Sequence, residues 1–207
     1  MERRLVGDIE ALLGCPTLCG IVVPKAEQAD VLVHLSNMLS NNTALLPLIE
    51  TAAAFDDLKA LARTPKVTRL MFGTIDFQVD TGIKGDGDEL IYFRSQLTLA
   101  SRIAGIAAPV DGVTTAIDDA ELLRQDTIRA RNLGFRGKLC IHPKQLAPVH
   151  AAFLPAPEEL DWAQRVTSAV RESDGSAISV DGKMVDAPVI AKAKDILNNS
   201  STERRNR

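Results

Sequence analysis

Five short apolar runs, each followed by a stretch whose apolar residues recur at helical spacing, constrain this chain more than any other feature. The runs span 18–23, 45–49, 67–72, 109–113 and 137–141. Strands that alternate strictly with helices pair in parallel, joined by right-handed crossovers, which sets the fold class as α/β. Between the runs, helices are expected over 26–39, with Ala29, Val31, Leu32, Leu35 and Leu39 as the apolar face, and over 51–61. Two more are expected, over 90–106 (Ile91, Leu97, Ala100, Ile103 and Ala104) and from a cap at Asp118 to Leu133. A helix over 5–13 precedes the first run, and Pro143 opens a further helix after the fifth. The glycine-rich, acidic stretch 76–88 reads as a loop.

From Pro155 the rhythm changes. A helix over 158–171, a short segment around Asp181-Gly182 and a helix over 187–197 form a C-terminal piece, and 200–207 is a polar, basic tail expected to fray. The expected organisation is therefore a strand–helix domain over 1–154, a C-terminal segment over 155–198 and a disordered tail over 199–207.

Composition excludes several functions. A formal net charge of −3 gives no basic face for a phosphate backbone, so no nucleic-acid partner is expected. No apolar run approaches the roughly 18 residues of a membrane helix, so no membrane partner is expected. The charged start Met1–Arg4 leads into no apolar stretch, and no secretory leader is expected. Cys15, Cys19 and Cys140 form no disulfide framework. The Cys15/Cys19 pair lacks a second Cys or His pair at zinc-site distance, and a reducing cytoplasm is the simplest compartment.

Polar residues just past strand C-termini are where barrels and open α/β sheets build sites. The second run ends in Glu50, the third in Gly73-Thr74-Ile75-Asp76, and the fifth in His142-Pro143-Lys144-Gln145. Glu50 and Asp76, from neighbouring strand ends, suit a magnesium ion, which takes hard oxygen ligands and keeps waters or substrate oxygens. The competing reading makes Glu50 a neighbour of a helix cap and Asp76 a loop acid. Backbone N–H groups of Gly73 and Thr74 are candidates to hold an anionic substrate, with a plain tight turn as the alternative. Lys25 invites a Schiff-base reading against the simpler one of a lysine paired with an anion. His142 is a candidate base or a hydrogen-bonded strand-end histidine. Asp86, Asp88 and Glu89 lack calcium-loop spacing and are expected to solvate a loop and cap the next helix.

Together these segments resemble the citrate lyase beta-subunit-like family of the HpcH/HpaI aldolase superfamily, which includes malyl-CoA and citramalyl-CoA lyases. The resemblance rests on Pro24-Lys25-Ala26-Glu27, Leu46-Pro47-Leu48-Ile49-Glu50-Thr51, Phe72-Gly73-Thr74-Ile75-Asp76-Phe77 and Tyr92-Phe93-Arg94-Ser95. It continues through Pro109-Val110-Asp111-Gly112-Val113, the stretch from Leu133 to Gln145, and Asp181-Gly182-Lys183-Met184-Val185-Asp186-Ala187-Pro188. Their shared order and spacing is what makes it specific.

The resemblance implies an incomplete (β/α)8 TIM-type barrel of about the last five units, with a C-terminal helical lid segment. It implies Mg2+ held by Glu50 and Asp76, a 2-oxo acid whose carboxylate meets the Gly73 and Thr74 amides, and a CoA thioester as the second substrate. The implied reaction is magnesium-dependent carbon–carbon lysis or formation of a 3-hydroxyacyl-CoA. The resemblance also implies a homo-oligomer, a trimer or its multiple, in which Asp186 from one subunit moves a proton in its neighbour's site. On sequence alone, Asp186 is equally a cap for the helix that begins at Ala187. The family's first three strands, with an Arg-x-Asn that grips substrate, have no counterpart in residues 1–14. A catalytically inactive truncated homologue or assembly partner that retains the metal site is therefore the alternative expectation.

Overall fold

A computed structural model describes residues 15–173 and 178–201, together with Gly7, Ile9, Ala11 and Leu12. The expected helix over 5–13 and the tail over 202–207 therefore fall largely outside the described residues. The chain divides into two compact units, Met1–Val149 and His150–Arg207.

The first unit is a parallel sheet in sequential order, β1 (Gly20–Val23), β2 (Ala44–Ile49), β3 (Arg69–Phe72), β4 (Ala107–Asp111) and β5 (Gly137–Lys138). Helices connect them: α1 (Ala29–Met38), the pair α2 (Ala52–Asp56) and α3 (Leu58–Arg63), α4 (Thr74–Thr81), α5 (Ile91–Ala104) and α6 (Ala120–Asn132). This is the repeating unit of a (β/α)8 barrel, five times over. After β5, a 3-10 turn over Pro143–Gln145 leads into α7 (Leu146–Phe153).

Pro47 lies inside β2, between two neighbouring strands, where its missing N–H should break a ladder. Leu45 bridges Val67 while Leu48 pairs with Met71, so β3 carries one extra residue opposite Pro47. The bulge accommodates the absent donor. Leu45, Ile49, Leu70 and Phe72 are fully buried and pack with Leu32, Leu35, Leu61, Phe77, Leu90 and Leu97 from the helices.

Several expectations are corrected. Residues 76–88 are not all loop: α4 occupies Thr74–Thr81, because Phe77 anchors its first turn in the core and Gly82, at φ 76°, ends it only one turn later. The helix over 51–61 is broken at Asp57, whose Oδ2 accepts the Ala29 N–H at 3.0 Å. On α5, Leu97 and Ala100 face the core but Ile103 is half exposed, and the buried position one turn before Leu97 belongs to Arg94. Asp119, not Asp118, caps α6 by accepting the Leu122 N–H at 2.9 Å, while Asp118 pairs with Lys144. The fifth strand pairs only over Gly137–Lys138.

The second unit packs α8 (Pro157–Glu172) on α9 (Ala187–Ser201) through Ala163, Val166, Ala193 and Ile196. A two-residue hairpin, β6 (Ser179–Val180) and β7 (Lys183–Met184), joins them. Its corner residues, Asp181 at φ 54° and Gly182 at φ 73°, are both left-handed, as a turn matching strand twist requires. Asn199–Ser201, expected as frayed tail, belong to α9. Among the described residues no helix is long and apolar enough to cross a membrane.

Candidate active site at the strand ends

Glu50 directly follows β2 and is only 4% exposed. A buried carboxylate needs partners. Its Oε1 accepts the Lys25 backbone N–H at 2.8 Å, and Lys25 holds that N–H in place from a left-handed conformation, φ 48°, uncommon for a residue with a side chain. Its other oxygen lies on Gly73: a Cβ there would stand 2.6 Å from Glu50 Cβ and 2.7 Å from Oε2. Only glycine leaves that space.

Asp76 is placed by its neighbour. Phe77 is fully buried, with ring centroids 5.5 Å from Phe72 and 4.6 Å from Phe93, in edge-to-face contacts worth about 0.5–1.5 kcal/mol each. With that residue turned inward, Asp76 stands exposed in the first turn of α4. The two carboxylates feel each other. Burial pushes the Glu50 carboxyl above its ordinary value, the Lys25 N–H opposes the rise, and the charge of Asp76 adds to it. A cation between them would relieve the strain on both counts. Two carboxylates with room for water and substrate oxygens fit Mg2+, which rarely uses an all-protein cage. Among the described residues no set of three or more His, Cys, Asp or Glu side chains is arranged to hold a metal ion.

The two amides expected to bind an anion differ. The Gly73 N–H donates to Ile49 O at 2.9 Å, so it is spent in the sheet. The first intrahelical bond of α4 is Phe77 N–H to Gly73 O at 3.0 Å, which leaves the Thr74, Ile75 and Asp76 amides ahead of it at the helix N-terminus. Gly73 thus contributes a close-packed surface and Thr74 an amide. The Thr74 hydroxyl is buried and has no hydrogen-bond partner.

Other candidates take local roles. Lys25 contributes its main chain while its side chain is exposed, without the desolvation that activates an amine. His142 Nδ1 accepts the Lys144 N–H at 3.1 Å and caps the turn after β5. Asp186, in the second unit, is exposed and caps α9, its Oδ1 accepting the Val189 N–H at 3.1 Å.

A second charged cluster, at the ends of β4 and β5, is absent from the sequence reading. Arg94 is fully buried; it donates from Nε to Asp111 Oδ1 at 2.9 Å and from Nη1 and Nη2 to Asp86 O and Oδ1 at 2.8 Å. Asp86, expected to solvate a loop, is an anchor for this arginine. Lys138 lies 3.9 Å from Asp111 Oδ2 and donates to Gly112 O at 2.8 Å. Arg129 pairs with Asp126 at 2.8 Å and Asp86 at 3.5 Å, and Asp126 accepts the Thr114 hydroxyl at 2.7 Å. The available signal was an Asp in an otherwise apolar strand and an Arg at a core spacing on α5.

The HpcH/HpaI aldolase/citrate lyase family model matches residues 8–143, the span that holds all of these strand ends. The chain belongs to that family. A citrate lyase subunit beta-like protein of Deinococcus radiodurans is 37% identical over 196 residues, covering 90% of this chain and 68% of its own length. A (3S)-malyl-CoA thioesterase of Cereibacter sphaeroides is 32% identical over 182 residues, covering 86% of this chain and 63% of its own. The crystal structure of CitE from Mycobacterium tuberculosis with magnesium, acetoacetate and coenzyme A superposes with a TM-score of 0.82 at 30% identity, covering 95% of this chain and 73% of that one. The five strand–helix units are thus those of an aldolase/citrate lyase barrel, and magnesium is the ion found with such a neighbour.

Proposed function

We propose that the chain cleaves, and in reverse forms, a 3-hydroxyacyl-CoA of the malyl-CoA or citramalyl-CoA class, with acetyl-CoA and a 2-oxo acid as the two halves. The observation that carries this reading is the buried Glu50 carboxylate, seated on Gly73 and raised in pKa by burial and by Asp76. Glu50 and Asp76 would hold Mg2+, which when bound supplies Lewis-acid polarisation of the oxygen on the carbon being cleaved. Gly73 lets the substrate approach the backbone. The Thr74 amide, at the N-terminus of α4, takes the carboxylate of the 2-oxo acid.

In cleavage, the 3-hydroxyl gives its proton to a solvent water as its oxygen becomes the carbonyl of the 2-oxo acid, and the bond from its carbon to the carbon beside the thioester breaks. The electron pair moves onto the thioester fragment, which takes a proton at what becomes the acetyl methyl group. Asp186 carries that proton, reaching from the C-terminal unit of a neighbouring copy in a homo-oligomer, a trimer or its multiple. An N-cap carboxylate uses one oxygen for the helix, and the other serves the transfer.

The thioesterase relative favours a second reading, hydrolysis of the thioester itself. Incubating the protein with malyl-CoA and Mg2+ separates them: acetyl-CoA with glyoxylate supports the lyase, and free CoA with malate the thioesterase. Neither product, with magnesium-dependent pyruvate binding retained in calorimetry, identifies a non-catalytic partner, and loss of that binding too overturns the site. The crossing of Asp186 is tested by mixing Asp186→Ala chains with Glu50→Gln chains, each inactive alone. Recovered activity supports it, and none, with mixed oligomers formed, refutes it.

A further inference from the structure

We infer that Lys138 is a positioning residue for the substrate-binding turn, acting through Gly112 on Thr74. The inference rests on the proposed role of that turn and goes beyond it.

Thr74 is only 1% exposed, and its hydroxyl makes no hydrogen bond. Nothing polar holds it, so its position is set by the wall it leans on. That wall is Gly112, the residue after β4, where a Cβ would stand 2.3 Å from Thr74 Oγ1, 2.6 Å from Cγ2 and 2.9 Å from Cβ. Thr74 thus fills the space a side chain at 112 would take, so a shift of the Gly112 backbone is passed to it directly. Gly112 is in turn held by its carbonyl, which accepts from Lys138 Nζ at 2.8 Å.

Lys138 is costly to keep there. Its side chain is fully buried, and burial pushes the amine below its ordinary value, against the fields of Asp111, Asp126 and Asp86. The cluster balances it: Arg94, Arg129 and Lys138 face Asp86, Asp111 and Asp126. Strand pairing already satisfies β4 and β5, with Leu139 N–H on Asp111 O at 2.9 Å, so the lysine is not needed to join them. What it adds is a fixed Gly112. From there the path runs to Thr74 and to the α4 amides that precede the first helical hydrogen bond. A mere filler of that space would have been apolar.

The experiment compares Lys138→Met, Gly112→Ala and Thr74→Ala, singly and with Lys138→Met/Thr74→Ala combined. Gly112→Ala keeps every charge and covers the case in which Lys138→Met fails to fold. Hydrogen exchange on the ligand-free protein needs no substrate and reads the turn directly. Faster exchange at Phe77 and the hydrogen-bonded amides of α4 that follow it, with the β1–β2 amides unchanged, is expected for Lys138→Met and Gly112→Ala. Uniform acceleration across the sheet, or none in α4, overturns the inference. Calorimetry with pyruvate in saturating Mg2+ gives the second arm: each single variant weakens pyruvate about 10-fold, and the double is no weaker than the worse single, since both break one path. Additive losses overturn it. If the wild type binds no pyruvate, the proposed function fails while the exchange arm still decides the role of Lys138.

Discussion

Two carboxylates at strand ends on either side of β3, Glu50 after β2 and Asp111 at the end of β4, are buried to nearly the same degree and live in opposite surroundings. Asp111 accepts from Arg94 and has Lys138 on its other side. Glu50 has one backbone N–H, an exposed lysine nearby, and the charges of Asp76 and Glu27 against it. Asp111 is matched by two buried cations, even though its Oδ2 makes no hydrogen bond, whereas Glu50 faces like charges with no buried cation beside it and is in deficit. A buried charge left without a counter-charge is the mark of a site, and one matched by buried cations is the mark of a frame.

The largest test of that contrast is Arg94→Met. It strands Asp111 and Asp86, and breaking a buried pair in this way costs about 3–5 kcal/mol, visible as a lowered urea midpoint. A loss under about 1 kcal/mol would show that the frame is not charged in the way described.

Glu50→Gln is expected to do the reverse. Because the folded carboxyl is raised, its contribution favours the fold at pH below its unfolded value and is lost as pH rises through the folded value. Near pH 7 without Mg2+, the glutamine variant should therefore melt higher than the wild type, and the difference should vanish near about pH 4. Magnesium affinity should drop by more than about 100-fold in calorimetry, beyond the roughly 10–100-fold seen for outer-shell changes. A variant that melts lower at pH 7 would remove the deficit on which the site is argued.

Gly73→Ala sharpens the comparison further. The added methyl would meet Glu50 at 2.6–2.7 Å and displace the carboxylate, weakening Mg2+ roughly 10-fold, with an overpacking cost of about 1–3 kcal/mol read as a lowered melting temperature. The smallest effect belongs to the exposed Arg124–Glu121 pair, which holds the Glu121 carboxyl at about 2. Arg124→Ala should leave the melting midpoint within the scatter of ordinary surface substitutions, since solvent screens what geometry offers.

The strand–helix alternation was legible because buried parallel strands need apolar runs and their helices need a periodic face. Glu50 and Asp76 were legible for the same reason, as acids at the ends of such runs. Helix α4 was not, since an eight-residue helix whose one buried apolar residue is Phe77 carries too little period to distinguish it from a loop. The Gly73 amide was misjudged because its partner, Ile49 O, lies on another strand.

What the sequence by itself determined is therefore the order of the elements, the strand-end positions of the acids and the glycines that had to be there. Only the tertiary structure decided which charges are paired. Arg94, Asp111 and Lys138 come from one helix and two strands, 17 to 44 positions apart in the chain by their numbers, and meet within 2.9–3.9 Å. Local pattern cannot carry such a meeting, because the free energy of a buried charge depends on its neighbours in space, and those are set by the register of β4 on β5 and the rotation of α5.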